Sequence, residues 1–181
     1  TYLQNQIVGR ALLESMLLMD GKCIISALRK KDLDFYGVTG EDLEGNKVDS
    51  KEFFAKAKVT MINVWGTFCS PCIMEMPDLG ELSREYADKD FQVIGIISDA
   101  RSADSDESKA AVDIIERTKA DYTHLLLSDS MIDSFVSEIY AIPTTIFVDS
   151  TGKVLCSSIV GSNAKESWAG AVDKVLEHVA E

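Results

Sequence analysis

The segment Val59–Trp65 (VTMINVW) is a largely apolar, β-rich run bounded by Lys58 and Gly66. A short run without polar alternation suits a strand covered on both faces, which needs other layers of structure above and below it. Cys69 and Cys72 stand directly beyond it, and Ile73, Met76, Leu79, Leu82 and Tyr86 then recur at spacings of three and four. That period predicts a helix over residues 70–87, bent at Pro77. A Cys-x-x-Cys pair therefore sits where a buried strand gives way to a helix.

The rest of the chain repeats the strand–helix alternation. Phe91–Ile97 (FQVIGII) reads as a second buried strand, followed by a helix over residues 106–119 with Ala111, Ile114 and Ile115 inward. A short strand at 124–127 precedes a helix carrying Ile132, Phe135, Val136 and Ile139, with Ser130 and Asp133 spaced as a capping box. Residues 144–148 and 153–160, joined by Asp149-Ser150-Thr151-Gly152, predict an antiparallel hairpin. Asn163 and Glu166 fit a capping pair for a last helix, whose apolar stripe runs through Trp168, Ala171, Val172, Val175, Leu176 and Val179.

Upstream, the turn composition around Glu44-Gly45-Asn46-Lys47 suggests a small β-hairpin within residues 35–48, and a helical turn follows at 50–57. Residues 2–20 place Ile7, Val8, Ala11, Leu12, Met16 and Met19 on one helical face, which predicts an amphipathic helix packed on its own domain. The order of elements gives an α/β fold: a mixed central sheet with helices on both faces, plus an N-terminal helix and the small hairpin. Two regions are expected, a helical extension over residues 1–31 and one domain over 32–181.

The cysteine pair carries the chemistry. Unpaired N–H groups at a helix start favour negative charge, so Cys69 is expected to ionise below the ordinary thiol value of about 8.5. Cys72, one turn further in, can attack Cys69 once that residue is joined to another sulfur. Half of a structural zinc site has the same spacing but needs two further ligands, and Cys23, Cys156, His124 and His178 are scattered singly. No metal is expected. Cys23 and Cys156 read as single buried thiols, with a disulfide between them as the alternative.

Thirty Asp and Glu against eighteen Lys and Arg give a net charge of −12, which repels phosphate backbones and anionic membrane surfaces. Nucleic acid is excluded as a partner on that ground. No apolar stretch approaches the roughly 20 residues that span a bilayer. The first residues lack a basic segment followed by an apolar one, so any export signal or anchor is expected to have been removed or left out.

Two strings carry a family resemblance over roughly residues 34–179. MINVWGTFCSPCIMEMPDL (61–79) resembles the strand, Trp, Cys-x-x-Cys, Glu and Pro signature of the TlpA/ResA-type extracytoplasmic thiol–disulfide oxidoreductases of the thioredoxin superfamily. Ile142-Pro143-Thr144-Thr145-Ile146-Phe147-Val148-Asp149 resembles that group's second landmark, a cis-proline loop leading into a strand. The resemblance implies a thioredoxin-like fold with catalytic Cys69, Cys72 and Glu75. It implies a substrate-docking surface of Trp65, Phe68, Ser70, Pro71, Ile142, Pro143 and Thr144, with a cis bond before Pro143.

It further implies no cofactor beyond the redox-active Cys69–Cys72 disulfide, and a monomer acting outside the cytoplasm, with membrane anchoring through a segment absent from this chain as an option. Its partners would be client protein thiols and disulfides and an upstream thiol donor such as a membrane electron carrier. The chain is expected to act as a reductant. Asn63 stands where ordinary thioredoxins carry a buried Asp, and an amide exchanges no proton, so Glu75 is expected to take over proton transfer with Cys72. Two other readings compete. One is a thiol peroxidase of the same superfamily, disfavoured by Trp65 and the paired cysteines, and the other is a non-enzymatic binding module working through the N-terminal helix.

Overall fold

The structure, a computed structural model, describes Phe35 and residues 37–180. The helix expected over residues 2–20, and Cys23, lie outside the described residues. Strands β1 (Thr39–Glu41) and β2 (Lys47–Asp49) form the small antiparallel hairpin. Its turn is closed by Asp42, whose carboxylate accepts from the backbone N–H groups of Glu44 and Asn46 at 2.9 and 2.8 Å. A short helix α1 (Ser50–Phe54) follows, capped by the Asp49 carboxylate on the Lys51 N–H.

The chain then alternates as its apolar pattern predicts. In order come β3 (Val59–Trp65), α2 (Ser70–Glu85), β4 (Phe91–Ile97), α3 (Asp106–Thr118), β5 (Thr123–Leu126) and α4 (Asp129–Ser134). A 3-10 turn (Val136–Glu138), β6 (Thr144–Asp149), β7 (Ile159–Val160) and α5 (Lys165–Ala180) complete it. The five main strands lie in the order β5-β4-β3-β6-β7. Pairs β3–β4 and β4–β5 are parallel, while β3–β6 and β6–β7 are antiparallel. Every residue of β3 is buried, so this strand is the middle of the sheet.

Alternation along β3 sends its residues to two separate cores. Val59, Met61 and Trp65 pack with Met76, Leu79 and Leu82 of α2, Ala111 and Ile114 of α3, and Trp168, Val172 and Val175 of α5. Ile62 and Val64 face the other way, onto Phe35, Val38, Phe53, Phe54, Met131 and Phe135 from the hairpin, α1 and the α4 region. Asn63 shares the parity of Met61 and Trp65 and therefore looks toward α2. Gly80 lets α2 approach the end of α3, since a Cβ there would lie 2.3 Å from the Lys119 carbonyl oxygen.

Three local expectations are corrected. The cap of α4 is Ser128, whose hydroxyl accepts from the Met131 N–H at 3.2 Å. Ser130 falls inside the first turn, where its hydroxyl accepts from the Thr39 N–H of β1. At α5, the Asn163 amide donates to the Gly161 carbonyl, and the first-turn N–H of Lys165 is satisfied by Asp78 of α2 at 3.1 Å. A tertiary contact takes the place of the local cap.

The hairpin expected from 153–160 shrinks to two paired residues. Val148 meets Val154 and Thr145 meets Ile159, so three steps along β6 face five on the returning chain. The two surplus residues bulge out of the ladder around Cys156, which is buried. Among the described residues no helix is long and apolar enough to cross a membrane.

Candidate active site

The dithiol is shaped by the start of α2. Cys69 is the N-cap residue in extended conformation (φ −92°, ψ 94°), and its Sγ accepts from the Cys72 N–H at 3.3 Å. A sulfur in the place usually held by a Ser or Asp oxygen is a sulfur that gains from carrying negative charge. Pro71 occupies the first turn, where a missing N–H leaves nothing unsatisfied. Cys69 and Cys72 are joined as a disulfide, their Cα atoms 5.3 Å apart. Cys69 retains 6% of its surface and Cys72 none, so an incoming sulfur can reach only Cys69.

Glu75 lies one turn beyond Cys72 and is 2% exposed. Its Oε1 accepts from the Asn63 amide at 3.1 Å. The other oxygen, Oε2, accepts from the Asn163 backbone N–H at 3.1 Å and the Trp168 indole N–H at 3.3 Å. Burial dominates and pushes this carboxyl up to about 7, against the pull of those three donors toward the charged form. Asn63 thus holds the carboxyl, and also donates to the Thr145 hydroxyl at 3.1 Å. Sequence reasoning found Glu75 and Asn63 but missed Asn163 and Trp168, which come from the α5 region; the polar N–H on an otherwise apolar stripe was the available signal.

Across from the dithiol, the Ile142 carbonyl oxygen lies 3.7 Å from Cys69 Sγ, and the Ile142–Pro143 peptide bond is cis. The expected docking residues divide by exposure. Phe68 is 72% exposed, Ser70 and Pro71 are exposed, and Ile142 is half-buried. Phe68 and Ile142 converge over Gly66, where a Cβ would sit 2.9 and 3.2 Å from their side chains. Pro143 and Thr144 are buried, and the Thr144 hydroxyl is committed to the Ala141 carbonyl at 2.7 Å.

Trp65 is corrected outright. It is fully buried, and its indole N–H donates to Nδ1 of His124 at 3.1 Å, so it supports the site from below instead of meeting a client. His124 places its other ring nitrogen 2.8 Å from the Ala120 carbonyl. The ring is therefore neutral with its proton on Nε2, and burial lowers its pKa to about 4. Gly95 is required beside this pair, because a Cβ would lie 2.2 Å from His124 Nδ1. Among the described residues no cluster of three or more His, Cys, Asp or Glu could hold a metal ion.

Two sulfurs of unequal access, opening and closing at a helix start on this sheet topology, define a thioredoxin-like thiol–disulfide oxidoreductase. The chain belongs to the Redoxin family, whose model matches residues 37–173. It is 31% identical over 135 residues to the thiol-disulfide oxidoreductase ResA of Bacillus cereus, covering 74% of this chain and 72% of that one. Among solved structures it resembles a thiol:disulfide interchange protein of the thioredoxin family from Chlorobium tepidum. That match has a TM-score of 0.64 at 23% identity, covering 76% of this chain and 92% of that one. The thioredoxin domain of a thiol-disulfide oxidoreductase from Bacteroides vulgatus superposes with TM-score 0.60 at 24% identity, covering 77% and 92%.

Proposed function

We propose that the chain reduces disulfides in client proteins outside the cytoplasm. The observation that carries the exchange chemistry in this reading is the unequal burial of the two sulfurs on one helix cap, beside a buried carboxyl one turn further on. Cys69 thiolate attacks a client disulfide, forming a Cys69–client bond as the client's other sulfur leaves as thiolate. The thiol of Cys72 then loses its proton and attacks Cys69 Sγ. The Cys69–Cys72 disulfide closes and the client's second sulfur departs, so the client gains two electrons and the enzyme loses two.

Glu75 takes the Cys72 proton and returns it when an upstream thiol donor reopens the disulfide. A membrane electron carrier suits that donor role, and the likeness to ResA-type proteins supports an extracytoplasmic site. Phe68, Ser70, Pro71 and Ile142 form the surface on which the client segment rests, and the chain works as a monomer with the domain beginning near residue 32.

The direction of electron flow is tested by equilibrating the dithiol with a glutathione redox series. A reductant gives a potential near the thioredoxin value of about −270 mV, whereas a value near about −120 mV would make the protein an oxidant. With a protein disulfide as substrate, Cys69→Ser abolishes exchange and Cys72→Ser accumulates the mixed disulfide, seen by intact mass. Failure of Cys72→Ser to trap any adduct would overturn the assigned roles.

A further inference from the structure

The turn that delivers Cys69 to the helix is fastened by a residue outside the site described above. Gly66 and Cys69 close it, the Cys69 N–H donating to the Gly66 carbonyl at 3.0 Å. Thr67 and Phe68 form its corners, and Phe68 is exposed. Thr67 is tied sideways: its backbone N–H lies 3.1 and 3.3 Å from the two carboxylate oxygens of Asp99, and its hydroxyl donates to Asp99 Oδ2 at 2.5 Å.

Asp99 is itself held firmly just past the end of β4. The Ser98 N–H donates to the Trp65 carbonyl at 2.8 Å, continuing the β3–β4 ladder, and the Leu127 N–H donates to the Ala100 carbonyl at 2.8 Å. A rigid anchor on one strand end therefore grips the turn on the next.

Charge makes the contact more than mechanical. The segments around the dithiol, residues 66–74, 139–148 and 159–164, contain no charged residue in a chain of net charge −12. Glu75 lies buried below them, and Arg101, two residues beyond Asp99, is paired with Asp129 at 2.8 Å. Asp99 thus brings a carboxylate to an uncharged collar. It opposes the helix start, which favours the anion on Cys69.

We propose that Asp99 is a positioning residue for the dithiol, fixing the Gly66–Cys69 turn through Thr67 and restraining the reactivity of Cys69 by its charge. The inference rests on the exchange role proposed above. Asp99→Asn removes the charge while its amide oxygen still accepts from Thr67. In the full chain, reduced, this variant should alkylate at Cys69 with iodoacetamide about threefold faster at pH 7, with the pH midpoint of the reaction lowered. Thr67→Val keeps the charge and loses the hydroxyl, and should slow exchange with a protein disulfide several-fold.

The double variant should be non-additive in exchange, as expected of groups in one network. A folded Asp99→Asn with an unmoved alkylation midpoint overturns the proposal, as does strict additivity. Should Asp99→Asn not fold, an unchanged exchange rate in folded Thr67→Val overturns it alone. Wild-type Cys69 that resists alkylation altogether would instead sink the exchange role, so the two failures are distinguishable.

Discussion

At Glu75, burial and hydrogen bonding pull in opposite directions, and their balance near pH 7 leaves a group that can both give and take a proton. Below that value it is protonated and cannot accept from Cys72; above it, the carboxylate can. Release of the client from a preformed mixed disulfide should therefore speed up through pH 7 in single-turnover measurements. Glu75→Gln keeps the shape and the contacts with Asn63, yet should slow this step by about tenfold or more at pH 8 and remove the inflection. A variant with an unaltered pH profile would show that Glu75 serves only packing.

Among elements, α2 carries the dithiol at one end and a tight crossing at the other. Its glycine at position 80 meets the Lys119 carbonyl, which follows α3 in a left-handed conformation (φ 54°) that fixes the oxygen's direction. Gly80→Ala should cost about 2 kcal/mol in urea denaturation, in the range of overpacked cores, and leave the dithiol potential unchanged because the strain lies about two turns from Cys72. Glycine at this point in the sequence looked like an ordinary helix residue.

The strands β3 and β4 were legible to the residue because burial on both faces writes a continuous apolar run. The dithiol and Glu75 were legible because they sit within seven residues on one helix. Trp65 was placed on the client surface, and Ser130 and Asn163 at caps, because their true partners, His124, Thr39 and the residues of α2, are distant in sequence. The bulge before β7 left no trace either, since alternation alone does not count surplus residues. Local periodicity was readable, and long-range polar pairing was not.

In the whole molecule, two buried titratable groups set opposing slopes on stability. His124 has a folded pKa of about 4 against an ordinary value of about 6.5, so the unfolded chain binds more protons between them and stability is lost as pH falls through that window. Glu75 behaves in reverse. Its folded value of about 7 exceeds the ordinary 4.5, so the native state holds the extra proton, and stability present below pH 4.5 is lost as pH rises to 7. Each shift of about 2.5 units corresponds to roughly 3 kcal/mol across its window. Between pH 4.5 and 6.5 the two contributions nearly cancel.

The other carboxylates, with a net charge of −12, add a background that both wild type and variants share. Difference curves remove it. In urea titrations of the oxidised chain from pH 4 to 8, Glu75→Gln should gain on wild type by about 3 kcal/mol between pH 4.5 and 7. His124→Asn should lose ground against wild type as pH rises from 4 to 6.5. A Glu75→Gln difference that stays constant with pH would mean that the carboxyl titrates in the folded protein as it does in the unfolded chain, and that the proton needed at Cys72 comes from elsewhere.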